Sequence, residues 1–494
     1  MSKLFKASLI ITIFFGINKI VALLRQAIIA RQFGLTSDID AFNVANNLPD
    51  LLFSLISGGA LALAFIPVLT EYLDKKGRDD SWRLFSQIAN LVFLTTAVLS
   101  IIVAVFTNPL ISSPIGVAPG FTPAQQALTA NLMRLNLIAT LVFSLSGLVM
   151  AALQSNKHFL LPAIAPILYN VGQIVGAVFL APLFGVYGLV YGIILGSILH
   201  LGVQIPGMVH YRFRWTPLIN LKDKGVQKVL ALMGPRILTV LFIQIIFLTR
   251  DNLASRLHEG AVTALTYGYF ILQVPETLIG TAIATALLPT LSQFADRKNQ
   301  KAFTQTLNKT IRVIIALTLI VTIISSVSLD YLLKSIFNFN QENTNLLAWT
   351  TRAYLIGLVT QSLLEVATRA FYAKQDARTP FIITLIRMIL YILIAVVLFN
   401  PLGAIGLALA DSITVSLEVV ILLFLLAKTM PGLLNLGDTI KRVALACIVS
   451  VLIFYAVVNQ LPIPKVFSAS LGLLIAGASS WFFIKREIKM LLKL

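Results

Sequence analysis

ILIAVVLFNPLGAIGLALA, residues 392–410, and ACIVSVLIFYAVV, residues 446–458, decide the fold class. Both are continuously apolar. A strand of a membrane barrel alternates apolar and polar residues in segments of about ten, so these runs read as helices in hydrocarbon. Apolar stretches near 20 residues recur along all 494 positions; 58% of the residues are hydrophobic and 12% are charged. Mean hydropathy is +0.90. The expected fold is an all-α polytopic membrane protein of about 14 transmembrane helices. Allowing for tilt, the spans fall at about 6–31, 40–70, 84–107, 124–153, 160–181, 185–209, 226–251, 261–290, 307–332, 347–373, 380–399, 403–428, 439–458 and 466–486.

A net charge of +18 suggests a nucleic-acid partner only until the charges are located. They cluster in alternate connections: Lys75, Lys76, Arg78 and Arg83; Lys157; Arg212, Arg214, Lys222 and Lys224; Arg297, Lys298 and Lys301; Lys374 and Arg378; Lys428 and Lys441; and the terminal KREIK. The intervening stretches NPLISSPIGVAPGFTPAQQ and APLFG hold no Lys or Arg. This is the positive-inside pattern, and it predicts cytoplasmic termini and no nucleic-acid binding. No small-residue cleavage site follows the first apolar segment, which reads as a retained helix. Cys447 is the one cysteine, set in ALACIVSVLIFY, and reads as a buried small hydrophobe. There is no GxxxxGK[ST] loop, and the four histidines, at 158, 200, 210 and 258, are too scattered to suggest a metal site. No enzyme activity and no cofactor are expected. A membrane potential or an ion gradient can drive movement, about 2.3 kcal/mol per charge per 100 mV, and the sequence does not name the ion.

The chain repeats itself. NKHFLLPAIAPILYN with APLFGVYGLVYG resembles AKQDARTPFIITLIR with FNPLGAIGLALAD, pairing Pro162 with Pro380, Pro182 with Pro401 and Gly188 with Gly406. NLPDLLFSLISGGALALAFIPVLTEY matches QVPETLIGTAIATALLPTLSQFADR, pairing Pro49 with Pro275 and Pro67 with Pro289. Six spans per half is an even number, so both halves start on the same side and form parallel repeats. The expected division is a six-helix lobe at 1–215, a second at 216–430 and an additional two-helix hairpin at 431–494. Such a pair can rock about a central cleft, which favours a carrier; the filter sequence of a channel is missing.

Polar residues interrupt the apolar spans. After ITIFFGINKIVALL, residues 11–24, come Arg25, Arg31 and Asp40, with Lys19 inside the run. A charge at bilayer depth costs about 2.5 kcal/mol or more, so these residues point to a polar chamber. Lys19 and Arg25 could donate charge-assisted bonds to a diphosphate, or Arg25 could pair with an acid such as Asp40; Arg31 could snorkel to the outer interface. Asn43, Asn46, Asn47 and Asp50 recur at helical spacing as one polar stripe, which could bond sugar or peptide, hold the arginines or cap a helix end. Gly58 and Gly59 permit close packing or a gate. The second half supplies Arg236, Gln244, Arg250, Gln273 and Glu276, with Arg250 read as the counterpart of Arg25 or as part of a helix end beside Asp251. Arg134, Arg352, Arg387, Asp411 and Glu418 are further candidates. Glu365 and Arg369, four apart, read as an intrahelical ion pair supporting a gate.

LLRQAIIARQFGLTSDIDAFNVANNLPDLL, residues 23–52, resembles the MurJ (MviN) family of lipid II flippases, within the multidrug, oligosaccharidyl-lipid and polysaccharide exporter superfamily. The likeness continues through ISGGALALAFIPVLTEY, LPAIAPILYNVGQIVG, TALLPTLSQFA and FYAKQDARTP, and covers nearly the whole chain. The resemblance implies a two-lobed fold of fourteen helices, a central cationic cavity for the diphosphate and sugar, and a tail groove made by the last two helices. It carries the family's basic positions to Lys19 and Arg25 and its acid to Asp40. The implied activity is transfer of undecaprenyl-diphosphate-linked disaccharide-peptide to the outer leaflet of a bacterial inner membrane for peptidoglycan synthesis. Membrane lipids and cell-wall synthesis proteins are the implied further partners.

This sequence departs from the family at Phe53, where members commonly carry arginine, and at Tyr269–Pro275, where they commonly carry D-R-L-x-E-x-P. A paralogue moving another polyprenyl-linked saccharide, or a scaffold that moves nothing, would fit those losses. A multidrug exporter fits less well, because a basic chamber repels cations.

Overall fold

Helices make up the regular structure of the described residues, with no strand among them. The structure is a computed structural model and describes residues 3–56, 59–461 and 463–491. Ten helical stretches among these residues are long and apolar enough to cross a membrane, so the chain is an all-α, multi-pass membrane protein.

By its contacts the chain divides into two units, Met1–Gly260 and Ala261–Leu494. The first contains α1 (Lys3–Phe33), α2 (Ser37–Ile56), α3 (Gly59–Lys75), α4 (Arg78–Ser112), α5 (Pro123–Ser155), α6 (Leu160–Val175), α7 (Ala181–Phe184), α8 (Tyr187–Gly202), α9 (Ile205–His210) and α10 (Lys224–Ala254). The second contains α11 (Ala261–Glu276), α12 (Ala282–Asp296), α13 (Gln300–Phe337), α14 (Gln341–Ile356), α15 (Leu358–Ala373), α16 (Arg378–Thr429), α17 (Thr439–Gln460) and α18 (Lys465–Leu491).

Several helix starts follow from local chemistry. The Thr122 side chain accepts the amide of Gln125 while Pro123 occupies the first turn of α5. Asp223 accepts the amides of Gly225 and Val226 to open α10, and Asn299 and Asn340 cap α13 and α14 in the same way. Hydropathy does not reveal the interruptions. The π-helical turns at Gly176–Leu180 and Thr277–Thr281 break the spans begun by α6 and α11. A 52-residue helix would run about 78 Å, far beyond a bilayer core, so α16 has to turn back. It does so at Gly403, whose φ of 56° and ψ of −135° are open to glycine and strained for other residues.

That turn repeats the first half. Gly185 has φ 59° and ψ −141°, and it precedes Gly403 by the same spacing near 218 residues that separates Pro162 from Pro380. Lys157 and Gln375 form a second such pair, both left-handed, at φ 61° and 62°. The duplication seen in the sequence is therefore also present in the backbone.

In the first unit one core cluster joins Phe65 and Leu69 of α3, Trp82 and Phe85 of α4, Leu153 of α5 and Met208 of α9. Val226 and Val229 of α10 enter the same cluster. Phe213, in the segment leading to α10, meets the Trp82 and Phe85 rings edge-on at 5.6 and 5.1 Å. These contacts place α10 with the first unit, although the duplication starts a second half near 216. In the second unit, α12, α13, α15 and α16 share one apolar cluster, while α17 and α18 pack on α13 around Phe454 and the buried Cys447. The terminal KREIK is not a free tail. Helix α18 carries it, and Glu487 is fully buried, bonded by Thr439 and by Arg442, with Arg312 3.9 Å away.

Candidate functional site

Helix α2 organises the polar side chains of the first unit. Its stripe at Asn43, Asn46, Asn47 and Asp50 forms at the expected helical spacing, and its members reach different neighbours. Asn46 accepts a hydrogen bond from Asn136 of α5, and Asn47 donates to Asp251 of α10 at 2.8 Å. One turn further on, Gln244 of α10 donates to Ser54 at 2.8 Å. Bonds of this kind hold helices together where the surroundings offer no water, at about 0.6 kcal/mol each. Asp50 ends the stripe as its one exposed member.

Arg250 and Asp251 form a buried ion pair, 2.7 Å from Nε to Oδ1, and the guanidinium sits 5.1 Å from the Phe247 ring centroid. Sequence neighbours on a helix seldom face each other, so Asp251 beside Arg250 did not read as its partner. It instead links Arg250 to Asn47. Asp40, 2% exposed, accepts the backbone amide of Gly260 at 2.7 Å, and Glu259 accepts that of Ser37. These acids thus brace the α1–α2 and α10–α11 connections, contacts that span over 200 residues of sequence.

Lys19 and Arg25 are half-buried on α1, while Arg31 at its end is exposed. The adjoining Asn18 accepts from Asn170 of α6 at 2.9 Å, joining the two helices at the level of Lys19. Half-buried cations on a helix with such polar neighbours can meet an anionic oxygen without full hydration, which strengthens the contact.

The two departures have structural fillings. Phe53 packs 5.4 Å from Phe143, which in turn meets Tyr169 at 4.8 Å and His200 at 5.4 Å. An aromatic cluster occupies the place where the family resemblance implies a cation. In the second unit Tyr269 meets Tyr354 at 5.5 Å, Gln273 is exposed on α11, and buried Glu276 accepts from Thr281 at 3.0 Å. Glu365 and Arg369 form the expected pair one turn apart on α15, and Arg369 also reaches Thr285 of α12. Gly58 lies outside the described residues, as does the side chain of Arg236; Gly59 is the first described residue of α3.

The strongest polar cluster was legible only as separate candidates. Arg387 on the first limb of α16 donates to Asp411 at 2.9 Å and to Glu418 at 3.1 Å on the second, and Thr384 donates to Glu418 at 2.8 Å. All four are buried. The seven-residue spacing of Asp411 and Glu418, two turns on one helix face, is the sequence signal that could have found it.

A family model described as Lipid II flippase MurJ matches residues 29–477. The Lipid II flippase MurJ of Burkholderia cenocepacia is 32% identical over 442 residues, covering 86% of this chain and 84% of that protein. The Probable lipid II flippase MurJ of Haemophilus influenzae is 29% identical over 442 residues, covering 83% and 84%. Among solved structures, one described as Lipid II flippase MurJ in an inward closed conformation aligns with a TM-score of 0.81 at 22% identity, covering 97% of this chain and 100% of that one. An inward-facing multidrug resistance MATE family transporter aligns at 0.71 and 14% identity, covering 84% and 95%. These two structural likenesses show the fold.

Proposed function

The chain belongs to the lipid II flippase MurJ family, and on that premise we propose that it moves undecaprenyl-diphosphate-linked disaccharide-peptide from the cytoplasmic to the outer leaflet of a bacterial inner membrane, for peptidoglycan synthesis. It is a transporter and not an enzyme. The observation that carries this reading is the family match over residues 29–477, which takes in Asp40, Asn47, Asp50, Arg250 and Gln273 and begins just beyond Arg25. In this reading Lys19 and Arg25 hold the diphosphate, and Asp50, Asn47 and Gln273 bond the sugar and peptide. Arg250 and Asp40 keep the chamber's shape from their buried positions, and Arg236 adds a further cation. Gly58, Gly59, Glu365 and Arg369 serve the gate.

Alternating access follows from two six-helix lobes, 1–215 and 216–430, rocking about that chamber, with 431–494 as the hairpin that receives the lipid tail. The placement of basic residues supports fourteen spans with both termini cytoplasmic. Membrane potential or an ion gradient supplies the drive. Membrane lipids surround the carrier, and cell-wall synthesis proteins use its product.

Leaflet transfer of fluorescent lipid II in proteoliposomes tests this. Arg25→Ala is expected to slow transfer about tenfold or more, the value of a charge-assisted bond to a phosphate oxygen. Absence of transfer by folded, correctly inserted protein under an imposed potential would overturn the assignment. The aromatic cluster around Phe53 favours one second reading, a different polyprenyl-linked saccharide as cargo. Faster transfer of such a lipid than of lipid II would select it.

A further inference from the structure

A cavity of about 500 Å³ in the second unit lies between the α12–α13 turn, the α15–α16 turn and the end of α16. Its polar lining comprises Asp296, Lys298, Gln300, Lys374 and Gln375. Lys298 and Gln375 hold left-handed backbone conformations, which turn the two loops sharply at its rim. Lys374 extends its ammonium to 3.4 Å from the Thr429 hydroxyl and 5.9 Å from the Phe303 ring centroid. Among the described residues, no carboxylate lies within ion-pair distance of Lys298 or Lys374.

Gln300 is the first residue of α13, a 38-residue helix, so the positive end of that helix borders the space, as do the negative ends of α12, α15 and α16. Burial pulls the Lys374 pKa below its ordinary value of 10.5, and the nearby Asp376 only partly opposes this. An anion in the cavity would relieve that penalty. Asp296 is the one acid in the lining; like Lys298 and Lys374 it is exposed, so it can turn to solvent. The repeat spacing puts Asn156 where Lys374 stands, and the Asn156 side chain donates to the Ala152 carbonyl at 2.9 Å.

We infer that this cavity binds a phosphate group, with Lys298 and Lys374 as its cations. The phosphate can come from the headgroup of an anionic phospholipid or from a soluble phosphate. In the orientation proposed above, the cavity lies at the cytoplasmic face, within reach of both. The inference is independent of the cargo of the central chamber.

The test uses full-length protein whose lysines are 13C-dimethylated, in phosphatidylcholine nanodiscs, in nanodiscs containing phosphatidylglycerol, and in phosphatidylcholine with added inorganic phosphate. The Lys374 resonance, assigned with Lys374→Arg, should titrate at higher pH when the anion is bound. A rise with phosphatidylglycerol alone identifies a headgroup site, and a rise with inorganic phosphate identifies a soluble ligand. Retention of phosphatidylglycerol in native mass spectrometry should fall about fivefold for each of Lys298→Gln and Lys374→Gln if the headgroup is the ligand. A Lys374 titration unchanged from phosphatidylcholine alone by either anion overturns the proposal, and that readout needs no substitution at the site.

Discussion

The hairpin of α6 and α8 and the hairpin folded within α16 share a turn and differ in their interior. Both turn at a positive-φ glycine, Gly185 or Gly403, three residues after Pro182 or two after Pro401. Inside the first, a Cβ on Gly172 would lie 2.3 Å from the Gly196 Cα, and one on Gly176 2.5 Å from the Gly192 Cα, so these helices meet backbone to backbone. The repeat spacing replaces those four glycines with Leu390, Thr414, Ile394 and Ala410 in the second hairpin. In their stead the second hairpin has Arg387, Asp411 and Glu418, at the positions occupied in the first by Tyr169, Ile193 and His200. The His200 Nδ1 is hydrogen-bonded there with Ser146 and Gln204. Duplication has kept the residues that the chain reversal demands and exchanged the means of helix association, dispersion at short range for a buried ion triad.

The largest effect should come from breaking the triad. Arg387→Met leaves two carboxylates buried without their cation, and removal of one partner from such a group costs about 3–5 kcal/mol. Thermal unfolding in detergent should show a marked loss. The triple variant R387Y/D411I/E418H, which installs the first hairpin's residue types, should recover much of it, because no unpaired carboxylate remains. Equal instability of the single and triple variants would mean the triad's charges are not what holds the hairpin. Gly172→Leu sharpens the other side of the comparison: the side chain meets backbone rather than a movable group, and overpacking should cost about 1–3 kcal/mol. The reciprocal Leu390→Gly should cost about 1 kcal/mol, chiefly through helix propensity. If both glycine-position changes prove neutral in the same unfolding measurement, close approach does not distinguish the hairpins.

Fold class and duplication were legible because apolar run length, proline and glycine are direct statements about backbone and solvent. The reversal at Gly403 was visible as a gap between two expected spans. The π-helical turns at Gly176–Leu180 and Thr277–Thr281 were not, because a shifted hydrogen-bond register leaves hydropathy unchanged. The polar stripe of α2 could be read from its spacing, while its partners Asn136 and Asp251 lie 90 and 204 residues away and no local pattern connects them. Asp40 illustrates the same limit: its helix-start position was evident, and its bond to the Gly260 amide depends on tertiary structure. Arg387, Asp411 and Glu418 were each conspicuous as charges in apolar sequence, and only the folded hairpin makes them a single group.

The smallest effect belongs to an ion pair of the same chemistry placed in water. Glu71 of α3 lies 3.1 Å from Lys75 one turn on and also bonds Lys228 of α10. Hydrogen bonds from Lys228 and then Lys75, with their charges, hold the Glu71 carboxyl down from its ordinary 4.5 to about 2. Because the folded value is the lower one, this contribution is complete above pH 4.5 and disappears as pH falls toward 2. A 13C titration of the carboxyl should show a larger upward shift for Lys228→Gln than for Lys75→Gln, and about 1 M salt should mimic part of that shift in the wild type. The buried triad should be indifferent to the same salt. Equal salt sensitivity at the two places would remove burial as the reason that one set of charges organises a hairpin while the other only decorates a surface.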